Sequence, residues 1–299
     1  MIATVLGNVT LDILCHPVND VPRHDSISFE HAAVTPGGCG SNTAIGLAAL
    51  GIPTGLIAHA GDDDSADLLF RYWKKVGVDT RLVRRTAGEI TGVSVALVDD
   101  EHQPRFVHTS GANRGLSATA ISPQALIDAG TRFFHIAGFF ILPGLTDGLG
   151  DALAQLQAAG IATSLDVVFT TQMENPRLRA AFWEALPHLD VLFCNDYEAL
   201  RLSNEPEPEQ AAAIFRERGT RAVIVKLGAE GCYILSEEFS GTIPALSVPV
   251  VDTTGAGDAF AAGFIAARSR GESIRAACKA GNQAGARVVQ KLGAIAGWL

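Results

Sequence analysis

A glycine-rich run near the carboxyl terminus combines an anion-binding pattern with a carboxylate. Residues 252–258 read Asp-Thr-Thr-Gly-Ala-Gly-Asp, and an apolar helical stretch, 259–264, follows directly. Small residues at a helix start leave backbone amides free, and the positive end of the helix dipole points at them, so such a turn binds phosphate. Asp258 would repel a resting phosphate, but it is well placed to take a proton from an attacking hydroxyl group. The run predicts phosphoryl transfer, with an ordinary Gly-rich turn as the alternative.

A second glycine cluster, 36–44, reads Pro-Gly-Gly-Cys-Gly-Ser-Asn-Thr-Ala and leads into a predicted helix. It matches neither a Walker-type loop nor a convincing dinucleotide-binding fingerprint. Its glycines let the backbone approach a small ligand, and the Asn42 amide offers a donor and an acceptor to hydroxyl groups. Asp12, after the first predicted strand, can accept hydrogen bonds from two hydroxyl groups. A structural Asn at a helix start and a solvated loop Asp are the alternatives.

The composition favours a cytoplasmic globular protein. The chain has 299 residues, 47% of them hydrophobic, and a formal net charge of −9. The acidic balance argues against nucleic acid or an anionic membrane as the main partner. No apolar segment reaches the roughly 20 residues that a membrane span needs, and the amino terminus reads as a strand rather than a secretory signal. Scattered cysteines without metal-site spacing predict reduced thiols at Cys15, Cys39, Cys194, Cys232 and Cys278.

The elements that must position these residues alternate between strand and helix. Apolar strands are predicted at 2–7, 55–60, 132–137, 161–166, 191–194, 222–226 and 232–235. Helices are predicted at 41–50, 65–76, 146–159, 176–186, 208–218, 255–270 and 273–292. Repeated βα order predicts a largely parallel sheet with helices on both faces and ligands at the carboxyl ends of its strands.

Two segments interrupt this order. Residues 12–36 are too long for an ordinary loop, and 89–113 alternate like a β-ribbon. We expect both to join one small sheet that acts as a lid and excludes water from a transferred phosphate. Two hairpins without a function are the alternative. The chain, 1–299, is then one domain that carries this lid.

The two glycine clusters together resemble the signatures of the ribokinase-like, phosphofructokinase-B-type family of carbohydrate kinases. The run 252–260 is similar to the family's C-terminal signature, and Gly37-Gly38, Asn42 and Ala44 match its N-terminal one. The resemblance extends from the first strand to the last helix. It implies an α/β fold, a ribokinase-like three-layer sandwich with a mostly parallel central sheet and a small β lid.

The resemblance assigns the phosphate-transfer chemistry to the first glycine-rich run. Asp258 is implied as the general base that takes the acceptor's proton. The anion hole for the γ-phosphate is implied at the amides of Gly255, Ala256 and Gly257. Family members often hold a monovalent cation nearby, and the positions compatible with K⁺ are Asp252 and Thr254.

The resemblance places the acceptor beside the second cluster. Its hydroxyl groups are implied to contact Asp12, Gly38, Cys39, Asn42 and Asp258. Ribokinases usually have Lys at the position of Cys39, which predicts a less polar acceptor pocket here. Phe139 and Phe140 are candidates to wall that pocket, with core packing as the alternative. Arg105 or His108 is a candidate contact for a charged acceptor, with a solvated lid charge as the alternative.

The nucleotide end is also implied by resemblance. Asn195 and Glu198 match an NxxE element, with Asn195 near the phosphates and Glu198 ordering Mg²⁺ through water. A helix N-cap and its capping box would explain the same pair. The remaining implied nucleotide contacts are Lys226, Gly228, Gly231, Gly257 and Asn282.

These features predict a Mg-ATP-dependent kinase that phosphorylates a primary hydroxyl group of a small sugar, of ribose, fructose or sugar-acid type. A nucleoside kinase with an adenosine-like acceptor is the alternative within the same class. A non-catalytic sugar or nucleotide sensor is the alternative from another class. The resemblance also implies a homodimer formed through the lid, and the composition predicts neither nucleic acid nor membrane as a partner.

Overall fold

A computed structural model describes residues 1–101 and 104–298. Within them the strands are β1 (Ala3–Gly7), β2 (Thr10–His16), β3 (His31–Gly37), β4 (Thr54–Gly61), β5 (Val83–Thr86), β6 (Gly92–Val98), β7 (Pro104–Thr109), β8 (Phe133–Ala137), β9 (Ala162–Asp166), β10 (Val191–Asn195), β11 (Ala222–Lys226), β12 (Cys232–Ser236) and β13 (Ser240–Ile243). The helices are α1 (Cys39–Ala49), α2 (Asp64–Val76), α3 (Pro123–Asp128), α4 (Leu149–Ala158), α5 (Pro176–Ala185), α6 (Asp196–Ser203), α7 (Pro208–Glu217), α8 (Ala256–Ser269) and α9 (Ile274–Val288).

A large sheet forms the middle layer, in the order β13-β12-β11-β10-β9-β8-β1-β4-β5. The pairs from β11 to β5 are parallel, and β12 pairs antiparallel with both of its neighbours. Helices α1, α2, α8 and α9 cover one face, and α3 to α7 cover the other. Because both faces are covered, the central strands are apolar without alternation, as the sequence predicts.

A small separate sheet has the order β3-β2-β6-β7. It takes strands from both predicted lid segments: β2 pairs antiparallel with β3 and parallel with β6, and β6 pairs antiparallel with β7. The predicted fold class, a three-layer sandwich with a small β sheet beside it, is confirmed. Residues 102–103 of the predicted lid and residue 299 of the predicted domain lie outside the described residues.

Two further observations concern the helices and the cysteines. In the described part of the chain, no helix combines the length and apolarity that a bilayer crossing requires. All five cysteines are free.

Candidate active site

A cavity of about 810 Å³ lies at the carboxyl ends of the central strands, between the large sheet and the small one. Parallel strands bring their carboxyl ends to one edge, so distant sequence positions meet there. The residues implied by the resemblance that line this cavity are Asp12, Gly38, Cys39, Asn42, Asn195, Glu198, Lys226, Gly228, Thr254, Gly255, Ala256, Gly257 and Asp258. The two glycine clusters therefore face one space.

Asp258 lies in the first turn of α8 and connects the two glycine clusters. Its Oδ2 accepts a hydrogen bond from Asn42 Nδ2 at 2.9 Å, and the Cys39 thiol donates to the same carboxyl group. Burial raises the pKa of Asp258 to about 7, although the Asn42 and Cys39 hydrogen bonds favour the ionised form. A carboxyl group with this pKa is partly ionised at neutral pH and can take a proton from a substrate hydroxyl group.

The turn before α8 requires glycine at position 255. Gly255 has a φ of +76°, and a Cβ there would lie 2.5 Å from the Cβ of Ala294. Any other residue would therefore be strained and would collide. Residues 255–257 are only glycine and alanine, so no large side chain covers the backbone of this turn, which lines the cavity.

Asp252 braces this turn from below. It is 1% exposed. Its Oδ1 accepts hydrogen bonds from Thr254 N at 2.9 Å and Thr254 Oγ1 at 2.6 Å, and its Oδ2 accepts one from Gly293 N at 2.8 Å. The carboxylate thus ties the turn to the carboxyl-terminal segment. The implied monovalent-cation site at Asp252 and Thr254 stays a prediction.

The acceptor end is built around Asp12 on β2. Thr10 Oγ1 donates a hydrogen bond to Asp12 Oδ1 at 2.6 Å, and burial raises the pKa of Asp12 to about 6. A Cβ at Gly37 would lie 1.9 Å from this carboxyl group, so glycine at 37 leaves the space that Asp12 occupies. Gly38 has a φ of +85° and packs against the Asn8 carbonyl.

Two asparagines that were not identified as functional from the sequence hold this end together. Asn8 Oδ1 accepts a hydrogen bond from Cys39 N at 3.0 Å, which fixes the start of α1. Asn113 bonds both backbone groups of Val9: its Oδ1 accepts from Val9 N at 2.9 Å, and its Nδ2 donates to Val9 O at 2.8 Å. Neither asparagine belongs to a recognisable motif. The only sequence signal for its role is its position, after a strand for Asn8 and beside the lid for Asn113.

Asn195 and Glu198 form a capping box at the start of α6. Asn195 Oδ1 accepts from Glu198 N at 2.7 Å, and Glu198 Oε2 accepts from Asn195 N at 2.7 Å. Glu198 Oε1 also accepts from Phe169 N at 2.9 Å. Burial raises the pKa of Glu198 to about 7. Because backbone amides engage both oxygens, contact with Mg²⁺ through a water molecule fits this carboxylate better than direct ligation.

Lys226, at the end of β11, meets a partner that the sequence did not reveal. Its Nζ donates to Asp166 Oδ1 at 2.6 Å, and both residues line the cavity. Asp166 ends β9, where nothing in the local pattern distinguishes it from a solvated loop carboxylate.

Gly231 and Asn282 are not among the residues that line this cavity. Asn282 Nδ2 donates to the carbonyls of Ile243 at 3.2 Å and Pro244 at 3.0 Å, which joins α9 to the end of β13. Gly231 has a φ of +103°, and a Cβ there would overlap Ile243 O. Their contact with the nucleotide stays a prediction.

Phe139 and Phe140 do not wall the acceptor pocket, and the alternative, core packing, holds for both. Both side chains are 0% exposed, and their rings pack edge to face, 4.9 Å apart, in the core below the sheet. They belong to the core cluster that includes α4 and α5, and neither is among the residues that line the cavity. The phenylalanines that line the cavity are Phe106 and Phe169.

The two candidate contacts for a charged acceptor lie differently. Arg105 donates to the carbonyls of Val18 at 2.8 Å and Asn19 at 2.6 Å, in the segment that follows β2. It is not among the residues lining the cavity, whereas His108 is. The role proposed for Arg105 therefore has no support from this geometry.

Comparisons with known proteins indicate the family to which the chain belongs. A family model for the pfkB family carbohydrate kinases matches residues 4–299. The ATP-dependent ribose-1-phosphate kinase of Halopiger xanaduensis is 32% identical over 292 residues, 96% of this chain and 92% of its own. A protein from E. coli that carries the designation ribokinase II, solved with ATP and Mg²⁺, matches 100% of this chain and 96% of its own, with 26% identity and a TM-score of 0.88.

A solved plant structure is also similar to this chain over nearly its whole length. The Arabidopsis thaliana ribokinase complexed with ribose and ATP matches 99% of this chain and 95% of its own, with 26% identity and a TM-score of 0.83. The family model spans nearly the whole chain, and both glycine clusters lie within the matched residues and line one cavity. The protein belongs to the pfkB family of carbohydrate kinases.

Proposed function

We propose that this protein transfers the γ-phosphoryl group of ATP to a primary hydroxyl group of a small, sugar-like acceptor. The observation that carries the proposal is the hydrogen bond from Asn42 to Asp258 at 2.9 Å. Asp258, a carboxyl group with a pKa of about 7, lies in the first turn of α8 and lines the same cavity as Asp12 and Asn42. A base in that position faces both an attacking hydroxyl group and the phosphate it attacks.

The residues divide the work of phosphoryl transfer, which needs mainly positioning and charge stabilisation. Asp12 and Asn42 orient the acceptor's hydroxyl groups, and Asp258 takes the proton as the hydroxyl oxygen attacks. The amides of 255–257 stabilise the charge on the transferred group. Mg²⁺ carried by ATP would neutralise part of the phosphate charge, with Glu198 as its protein contact through water. The small sheet reduces access of water to the transferred group.

The test is ADP release with ATP and Mg²⁺ across a panel of free sugars, sugar acids, sugar phosphates and nucleosides. Asp258→Asn serves as the matched control protein, because it keeps the shape of the side chain and removes the base. ADP release that depends on an acceptor and is lost in this variant supports the proposal. ATP consumption equal in the two proteins would contradict the assignment of Asp258.

A nucleoside kinase is a second candidate, because Phe106 lines the acceptor end of the cavity and remains 49% exposed. An exposed ring of this kind suits a flat base. The nucleosides of the panel separate this candidate from a sugar kinase. A protein that binds sugar or nucleotide and turns over none of the panel would instead be a sensor.

The remaining proposals concern the state of the protein. We infer one domain over 1–299, a cytoplasmic location without nucleic acid or membrane as partner, and a dimer formed through the lid. The net charge of −9 supports the absence of nucleic acid and anionic membranes as partners. Val34 and Val107, 47% and 67% exposed on β3 and β7, give the small sheet an apolar surface. Sedimentation velocity tests the dimer, and activity in KCl against NaCl tests a K⁺ requirement.

A further inference from the structure

A buried ion pair lies at the nucleotide end of the cavity and has no part in the chemistry above. Lys226 Nζ donates to Asp166 Oδ1 at 2.6 Å, and the two side chains are 16% and 5% exposed. Strand β10 separates β9 from β11, so the pair reaches across the end of β10. Neighbouring strands are about 4.8 Å apart, so the gap across β10 is roughly twice that distance, and a long side chain such as that of lysine spans most of it.

The pair lies directly against the first turn of α8. A Cβ added at Gly257 would be 3.1 Å from Lys226 Nζ and 4.0 Å from Asp166 Oδ2. The ammonium group therefore lies beside the amides that hold the γ-phosphate in the proposed function. Because position 257 is glycine, no side chain there separates the ammonium group from the turn.

Asp166 is the carboxylate that directs the ammonium group. An ammonium group has three donors, and the bond to Asp166 orients it while leaving donors for phosphate oxygens. Glu198 also attracts the Lys226 ammonium group, but its carboxylate oxygens accept hydrogen bonds from the backbone amides of Asn195 and Phe169. Burying a lone ammonium group is costly, so without Asp166 the lysine would turn toward water or lose its proton.

We propose that Asp166 is a positioning residue that holds the Lys226 ammonium group beneath the α8 turn, where it meets the phosphates of ATP. The proposal rests on the proposed kinase function. Lys226 makes the contact with the nucleotide, and Asp166 acts only through Lys226. The two residues then form one functional unit, and their effects on turnover are not additive.

The test is a double-mutant cycle with Lys226→Gln, Asp166→Asn and the combined variant. Lys226→Gln should lower kcat/KM for ATP by about 10²-fold, as loss of one charge-stabilising donor does. Asp166→Asn should lower it by about tenfold in the wild-type background and by less than about twofold in the Lys226→Gln background. The acceptor KM should stay within about twofold in all variants, because the acceptor lies at the other end of the cavity.

Asp190→Asn is the matched control. Asp190 also pairs with a basic residue, Arg221, at 2.8 Å, but at the opposite end of the sheet. This variant should keep wild-type kinetics. An equal loss from Asp166→Asn in both backgrounds, or wild-type rates in Asp166→Asn, would overturn the proposal.

Folding and the proposed function are tested separately. If Asp166→Asn unfolds because it leaves a buried charge, the combined variant, which removes both charges, is compared with Lys226→Gln alone. If wild type turns over no acceptor, the proposed function fails, and the same cycle is measured on the affinity for a non-hydrolysable ATP analogue by calorimetry. Additive losses of affinity there would overturn the role of Asp166.

Discussion

The hydrogen bond from Asn42 to Asp258 makes the ionisation of the proposed base testable. Asn42 Nδ2 donates to Asp258 Oδ2 at 2.9 Å, and this bond favours the carboxylate. Burial acts in the opposite direction and places the pKa of Asp258 at about 7. In Asn42→Ala the donor is lost while the carboxyl group stays buried, so the pKa of Asp258 should rise.

The size of this rise follows from the strength of the bond. A hydrogen bond to a charged group contributes roughly 1.5–3 kcal/mol, and one pKa unit corresponds to about 1.36 kcal/mol. Water that enters the space of the amide replaces part of this energy, so the acid limb of kcat/KM should move up by about one unit. The assay is initial ADP release from about pH 5.5 to about pH 9.5, with both proteins measured side by side. The titration of ATP itself is common to both and cancels.

Asp12 provides the control for this experiment. Burial raises the pKa of Asp12 to about 6, so its titration falls close to that of Asp258. Asp12→Asn removes that group and should leave the limb set by Asp258 in place, although binding of the acceptor weakens. A limb that does not move in Asn42→Ala, or that moves to lower pH, would refute the role assigned to Asp258.

Three further predictions use the same site. Asp258→Asn should lower turnover by about 10²-fold or more while calorimetry finds ATP affinity within about twofold of wild type. Gly37→Ala should raise the acceptor KM and spare the ATP KM, because its Cβ would lie 1.9 Å from the Asp12 carboxyl group. Gly115→Ala, whose Cβ has its nearest contact at 3.5 Å, should change neither KM. The raised pKa of Asp258 makes the free energy of unfolding depend on pH. Its contribution to stability is fully present below pH 3.8, the ordinary pKa of the group, and is lost as pH rises through about 7. In urea unfolding, Asp258→Asn should therefore lose less stability than wild type across that range, and equal losses would contradict the raised pKa.

The sheet was predictable where strands are buried and was missed at its edges. Every strand of β1, β4 and β8 to β12 overlaps a predicted run, since burial on both faces makes such strands continuously apolar. The edge strand β5 reads Val-Arg-Arg-Thr, and β13 reads Ser-Gly-Thr-Ile. Edge strands face water on one side and are short, so their composition does not differ from that of loops. Whether these two segments form strands depends on pairing with a neighbouring strand, which is a long-range contact.

The site was predictable where its residues are adjacent in sequence. Gly255 to Asp258 work as one turn, so their spacing carries the signal. Asn8, Asn113 and Asp166 act through partners 31, 104 and 60 positions away. A single polar residue after a strand has no local pattern that separates such a role from solvation. The sequence leaves two roles open for Phe139 and Phe140 for a related reason, because the side of the sheet on which a loop packs decides whether its rings meet a cavity or the core.

The structural and functional interpretations of Asn195 and Glu198 support each other. The capping box satisfies amides at the start of α6 and holds Glu198 with both oxygens engaged. Glu198 is only 4% exposed yet lines the cavity. A carboxylate fixed by a helix start loses little further side-chain freedom when a hydrated metal arrives, so in the proposed function the bond network that begins the helix would also prepare the contact with Mg²⁺. The capping box and the proposed ligand contact are therefore compatible interpretations of the same two residues.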